Sequence, residues 1–535
     1  MARKNTIFNS IAAKKVKKNS FDLSHERKVS MDMGYITPVL LQEVVPGDVF
    51  NINAEAIVKL APLQAPIMHR VDTKIDYFYV PNRLVWNQWE DFITGGEDGS
   101  SLPSHPRVNL SDLAANNLAG EGSLADHFGI PTLANSGGYS GSEQVSMLPF
   151  RAYQLIYNEF FRDQNLQDET PISLGSGVAT IPDILTNCTI RRKCWEKDYF
   201  TSALPDSQKG PEVLLPLGDQ ANLEYNPNDG ATRLWKTDGT QPSGTTGDSL
   251  DLQNPAGNTG GRVFSSELLD IDVSENHTVD LSSADAPSIN ELRKATAVQR
   301  WLELAMRGGS RYKEMLNNFF GVRSSDARLD RPEYLGGGKN PVVVSEVQTT
   351  YRSDILDDNP VGERFGSAQS MGQGYGFKPK QFEEHGFIIG VMTTLPRTAY
   401  SQGINRLWTR FDKFDHYFPQ FANLGEQEIK SKEIYLTDAS TDEETEETFG
   451  YQQRYAEYKY ASDSVHGDFR SSLDYWHMGR IFSNKPELNS VFVTSNPTNR
   501  IYQITDPTAA KLWCQVYHNV KALRPMPYHS MPQLT

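Results

Sequence analysis

The residues with the most direct chemistry lie at the start of the chain. Residues 1–28 carry eight basic side chains (Arg3, Lys4, Lys14, Lys15, Lys17, Lys18, Arg27 and Lys28), opposed only by Asp22 and Glu26. The formal +6 of this stretch contrasts with −21 for the rest of the chain; together they give the net −15. Lysines clustered among Asn and Ser neutralise phosphates without reading base sequence. Arg3, Lys4, Lys14, Lys15, Lys17 and Lys18 are therefore the candidate nucleic-acid contacts. The alternatives are a disordered tail, or an arm that binds an acidic neighbouring subunit.

Elsewhere the pattern argues against catalysis. Gly336-Gly337-Gly338-Lys339 is followed by Asn340 and Pro341, not Ser or Thr, and lacks phosphate-loop spacing. Gly372, Gly374 and Gly376 give G-x-G-x-G in flanks that predict a flexible loop. There is no HExxH and no GxSxG. The eleven His are scattered, Glu384-His385 being an isolated pair. Cys188, Cys194 and Cys514 are too few for a disulfide framework, fit no metal spacing, and read as small buried hydrophobes. The acidic run at 442–447 lacks the alternating oxygens and turn glycine of a calcium loop and reads as solvated. No catalytic residue, cofactor or metal is expected.

The elements that must position these residues are mainly strands. In 50–58, Phe50, Ile52, Ala54, Ala56 and Val58 alternate with polar residues; in 71–80, Val71, Thr73, Ile75, Tyr77 and Tyr79 do the same. That period of two marks half-buried strands. Further strands are expected at 342–350, 386–395, 428–436, 491–494, 501–504 and 513–520. Helices are expected at 148–163 and, after the capping-box pair Ser288 and Glu291, over 290–320 with a break at Gly308-Gly309. Residues 205–288, rich in Gly, Asn, Asp, Thr, Ser and Pro around 226–262, cannot bury a core and read as an exposed insertion. No stretch approaches the ~18 apolar residues of a membrane span, and no apolar run follows Arg3 and Lys4 as in a secretory signal. A soluble chain made in the cytoplasm is the expectation. The whole, at 535 residues, predicts a double-sheet β-sandwich of the jelly-roll kind, divided into a basic arm (1–30), a first part (31–204), the insertion (205–288), and a second part with an extended, Pro-rich tail (289–535).

Five long segments carry a resemblance: FYVPNRLVWNQWEDFITGG (78–96), LPFRAYQLIYNEFFRDQNLQD (148–168), RGGSRYKEMLNNFFGVRSSDARLDRPEYLGG (307–337), RTAYSQGINRLWTRFDKFDHYFPQFANLGEQEI (397–429) and GYQQRYAEYKY (450–460). Together they resemble the major capsid proteins of the microviruses, in particular the gokushovirus branch. The resemblance implies an eight-stranded viral jelly roll, with long loop insertions and a few helices, that builds a T=1 shell of about 60 copies around circular single-stranded DNA. It further implies a virion location after assembly in the bacterial cytoplasm. A small basic DNA-packaging protein, an internal scaffolding protein, a DNA pilot protein and a host surface receptor are the implied partners. Residues 205–288 stand where relatives carry a threefold protrusion, with Trp235, Asp238, Asp248 and Asn254 as its candidate surface residues.

A shell subunit must hide apolar edges against its neighbours. The aromatic runs supply the candidates: Phe150, Tyr153, Tyr157, Phe160 and Phe161 in one, and Trp408, Phe411, Phe414, Tyr417 and Phe418 in the other. For both runs the competing reading is the subunit's own core. Two rival functions remain open at this stage. A carbohydrate- or surface-binding β-sandwich would share the strands and insertion. A polysaccharide-cleaving enzyme would need a positioned carboxylate pair and would leave the basic arm unexplained.

Overall fold

A computed structural model describes residues 17–96, 100, 102–132, 141–211, 213, 222–225, 234–236, 269–271, 277–280, 289–309, 311–348, 364–438, 440–504 and 506–529. Its two large sheets are built mainly from β1 (His25–Met31), β2 (Thr37–Val44), β3 (Val49–Leu60), β4 (Val71–Pro81), β5 (Glu333–Pro341), β6 (Arg364–Gln381), β7 (Gly386–Pro396) and β8 (Leu512–Arg524). The first sheet runs β1-β8-β3-β6. Asn19–Asp22 also pairs with β8, and Val343–Gln348 extends the far edge beside β6. The second sheet runs β5-β4-β7-β2, and every pairing in both sheets is antiparallel. The chain is thus mainly β with few helices, consistent with a jelly-roll sandwich.

The main core lies between the sheets because one face of the first sheet is apolar at every second residue. Phe50, Ile52, Ala54, Ala56 and Val58 of β3, with Leu512, Cys514, Val516 and Val520 of β8, meet Val39 and Leu40 of β2, Ile75 of β4, and Ile388 and Met392 of β7. The second sheet is covered on its other face too, so β4 is not half-buried as its alternation suggested. Asp72 and Asp76 are buried there, held by Lys339 at 3.1 Å and Lys74 at 3.0 Å. Buried charge is tolerated in a sheet only with such partners.

The element covering that face is the aromatic helix Leu148–Ile156, which runs on into a single π-turn, Tyr157–Phe161. It buries Phe150, Tyr153 and Ile156 against Phe78, Val80, Ile389 and Val391. The Tyr153 hydroxyl donates to the Ile36 carbonyl (2.8 Å) and accepts from the Arg191 amide (3.0 Å), joining helix to strand. Tyr153→Phe is expected to lower subunit stability by about 1–2 kcal/mol, since both partners lose their bond in a dry site. Urea unfolding of the unassembled chain measures this, and an unchanged midpoint would refute it.

Several local expectations change. The glycine run 372–376 is not a loop but part of β6. A side chain at Gly376 would collide with the Ile52 carbonyl, so glycine is there to let two strands pair closely. Residues 490–493 form a short helix, Ser490–Val493, because the Asn489 side chain accepts from the Phe492 amide (3.0 Å) and caps it. Residues 501–504 contribute only an isolated bridge at Tyr502. The 428–436 strand stops at Lys430, where a 3₁₀ turn, Ser431–Glu433, begins. The basic arm is partly sheet: Asn19–Asp22 and β1 both pair with β8.

The chain divides into two compact units, Gln208–Leu304 and the remainder. Within the smaller one, Asn222–Tyr225 pairs with His277–Asp280, and Leu234–Lys236 with Leu269–Ile271. Helix Ile289–Gly308 begins within it and a second helix, Tyr312–Phe320, follows.

Candidate assembly surface and nucleic-acid contacts

Residues 405–424 form a ledge of three 3₁₀ turns: Arg406–Thr409, Lys413–Asp415 and Pro419–Phe421. Polar side chains close its turns. Asn405 accepts from the Leu407 amide (2.9 Å), and the Asp415 carboxylate accepts from the amides of Phe411 (3.1 Å) and Asp412 (2.9 Å). With its polar groups satisfied locally, the ledge turns its apolar ones outward. Trp408 is 73% exposed and Phe411 89%; Leu407, Phe414, Tyr417, Phe418 and Leu424 are exposed as well.

The ledge is fixed from beneath. The Arg410 guanidinium lies 4.0 Å from the centre of the Tyr458 ring and 3.3 Å from the Glu457 carboxylate, an ion pair buried on both sides. Arg406 donates to the Glu428 carbonyl (2.6 Å) and reaches Glu433 at 3.3 Å. Glu433 also accepts from the Tyr199 hydroxyl at 3.1 Å; burial pushes its carboxyl above the usual range. Tyr455, in the left-handed region at φ 63°, donates through its hydroxyl to the His416 carbonyl (3.2 Å) and stacks edge-on to Tyr417. A third core of Phe200, Tyr400, Ile429, Phe449 and Phe492 supports this side of the molecule. The partners that hold the ledge lie outside the aromatic run itself, and nothing in its composition pointed to them. A rigid, well-anchored apolar surface of this kind is what an interface needs, because little ordering entropy remains to be lost on contact.

The other aromatic run takes a different place. Phe150, Tyr153, Tyr157 and Phe161 are buried in the chain's own second core, and Phe160 packs against it, 4.8 Å from the Phe78 ring and under the Arg331 guanidinium. Of the arm, Lys17 and Lys18 are described, with Lys18 donating to the Gly47 carbonyl. Arg3, Lys4, Lys14 and Lys15 lie outside the described residues, as do Asp238, Asp248 and Asn254 of the insertion; Trp235 lies in the strand Leu234–Lys236. The three thiols are free and buried, and burial pushes those of Cys188 and Cys514 up to about 12. Among the described residues no group of acidic, His or Cys side chains is disposed to hold a metal ion, and no helix is long and apolar enough to cross a membrane. The acidic run forms a short exposed helix, Asp442–Glu446, capped by Thr441.

Residues 9–534 match the family model described as capsid protein (F protein). The chain is 36% identical over 540 residues to the capsid protein VP1 of Bdellovibrio phage phiMH2K and 34% identical over 591 residues to that of Chlamydia phage 1. It is 31% identical over 562 residues to that of Spiroplasma virus 4. Each alignment covers 98% of this chain and 97% of the relative.

Proposed function

The chain belongs to the phage capsid protein (F protein) family, and from that premise we propose that it closes into a T=1 icosahedral shell of about 60 copies around a circular single-stranded DNA genome. Its role is structural, and its place is the virion. The observation that carries self-assembly is the anchored ledge at 405–424: rings as exposed as Trp408 and Phe411 are stable against aggregation only when a defined partner covers them. The eight-stranded jelly roll is part of the same reading. Its support is the strand order, in which β1, β3, β6 and β8 form one sheet and β2, β4, β5 and β7 the other.

In this reading the basic arm contacts DNA phosphates, together with a small basic DNA-packaging protein. An internal scaffolding protein guides closure and a DNA pilot protein accompanies the genome. Assembly takes place in the host cytoplasm. Residues 205–288 rise as a threefold protrusion that attaches to a host surface receptor, with Trp235, Asp238, Asp248 and Asn254 among its surface residues.

Electron microscopy of the purified chain, with partner proteins co-expressed, tests the reading. Uniform icosahedral particles with knobs at the threefold axes are expected, and deletion of 226–262 is expected to remove the knobs and leave the shell. Monomers or small rings alone would overturn the proposal in favour of a surface-binding β-sandwich.

A further inference from the structure

We propose that the outer face of the first sheet is a platform for single-stranded DNA, with Trp513 and Tyr517 as the rings on which bases stack. This rests on the shell reading above and adds to it the residues that meet the genome.

β8 alternates along its whole length. Leu512, Cys514, Val516, His518, Val520 and Ala522 point into the core; Trp513, Gln515, Tyr517, Asn519, Lys521 and Leu523 point out. The register sets Trp513 beside Lys59, Tyr517 beside Glu55, Asn519 beside Asn53 and Lys521 beside Asn51. On the flanking strands, Gln369 of β6 pairs with Lys59 and Lys28 of β1 with Gln515. Among the described residues nothing covers this face, and Trp513 is 47% exposed and Tyr517 44%.

Two large rings four residues apart on a central strand stand about 13 Å from each other. Ser30 and Lys59 flank Trp513 on the adjacent strands, Glu26 and Glu55 flank Tyr517, and Gln515 and Asn519 lie along β8 between and beyond the rings, so a strand laid across the face finds stacking surfaces, donors and acceptors for base edges, and cations for phosphates at the Trp513 and Lys521 ends. A groove lies at each end. One, of about 390 Å³, is bounded by Trp513, Lys59, Phe365, Gln369 and Gln503. The other, of about 1040 Å³, is bounded by Asn51, Asn53, Asn519, Tyr334 and Lys378.

The charge of the face is balanced. On a chain of net charge −15, this face balances Lys28, Lys59 and Lys521 against Asp22, Glu26 and Glu55, and so offers phosphates little of the chain's overall repulsion. Lys17 and Lys18 stand at the edge of this sheet, where Asn19 pairs with Arg524 of β8. A flat aromatic face selects unpaired bases, because those of a duplex are stacked on one another.

The test uses the full-length chain and a fluorescent oligothymidylate, read by anisotropy. Trp513→Ala and Tyr517→Ala are each expected to weaken binding about tenfold, while Trp513→Phe stays within about threefold. Lys59→Gln with Lys521→Gln is expected to shallow the salt dependence by about one unit of slope. Photocrosslinking from a bromodeoxyuridine-substituted strand to the unmutated chain should map to 512–524, a readout that needs no variant to fold. Wild-type affinity in both alanine variants, or crosslinks confined to other segments, overturns the platform. So does a Trp513→Ala chain that binds DNA normally but forms no particles, since the face would then join copies of the chain. Particles formed by a chain with no affinity for the strand overturn the platform alone; absence of both particles and binding overturns the shell reading beneath it.

Discussion

Replacing Trp408 and Phe411 together with serine is expected to abolish particle formation while leaving the subunit folded. Both rings are almost free of their own subunit, at 73% and 89% exposed. Their removal therefore costs the isolated chain no more than the few tenths of a kcal/mol usual for surface substitutions. Covered by a neighbour, each ring would withdraw some 150–250 Å² from water, or about 4–6 kcal/mol per ring at about 25 cal/mol per Å². Since every copy in a closed shell carries the same ledge, the loss recurs at each symmetry-related contact. Sedimentation of the variant should give free subunits with an unchanged circular-dichroism melt. Normal particles would show that the ledge is not a subunit contact, and a collapsed melt would show that the rings serve the fold. Arg410 and Arg406 are left intact by design, since they hold the ledge's backbone through Glu457 and Glu433.

The second large effect is a loss of subunit stability in mild acid, centred on His518. Its ring is buried between the sheets, with Nε2 2.9 Å from the Val39 carbonyl and Nδ1 3.5 Å from the Tyr77 hydroxyl. These partners suit one neutral tautomer, donating to Val39 and accepting from Tyr77. Burial, reinforced by the nearby charges of His25 and Arg27, pushes its pKa down from 6.5 to about 4. The unfolded chain then binds a proton that the folded chain refuses, so stability is complete above about pH 6.5 and declines toward pH 4. The decline amounts to about 3 kcal/mol. His69, His105 and His127 are also lowered, chiefly by burial, and act in the same direction. His518→Gln keeps an amide donor for Val39 and removes the titration. Urea midpoints of the unassembled variant should depend less on pH over that window, by about one proton, than those of the wild type. Equal slopes would place the acid sensitivity elsewhere.

Strands with clear alternation, or with a continuous apolar run as at 386–395, were legible from residues alone. Those expected at 50–58, 386–395 and 513–520 became Val49–Leu60, Gly386–Pro396 and Leu512–Arg524. β6 was hidden because its glycines imitate a loop, and their reason, close approach to β3, exists only in three dimensions. The run VFVT at 491–494 carries strand propensity, but Asn489 as a cap outweighs it over four residues. The two aromatic runs look alike as text. One has a helical stripe that a sheet can cover, as Phe150, Tyr153 and Tyr157 show; the other is broken by Asp412, Asp415 and Pro419 into turns that leave its rings outside. Trp513 and Tyr517 were within reach as the outward members of an alternating strand, but which side of that strand meets solvent is decided by the rest of the sheet.

β8 lies between β1 and β3, yet the ribosome makes it about 480 residues after β1. At roughly 5–20 residues per second, the first sheet waits on the order of half a minute to a minute and a half for its central strand. Until then β1 and β3 have unpaired backbone groups, and half of the core's wall is missing. A nascent or prematurely terminated chain therefore cannot complete the first sheet. The interval is also when the chain, with unpaired strand edges, is most exposed to misassociation.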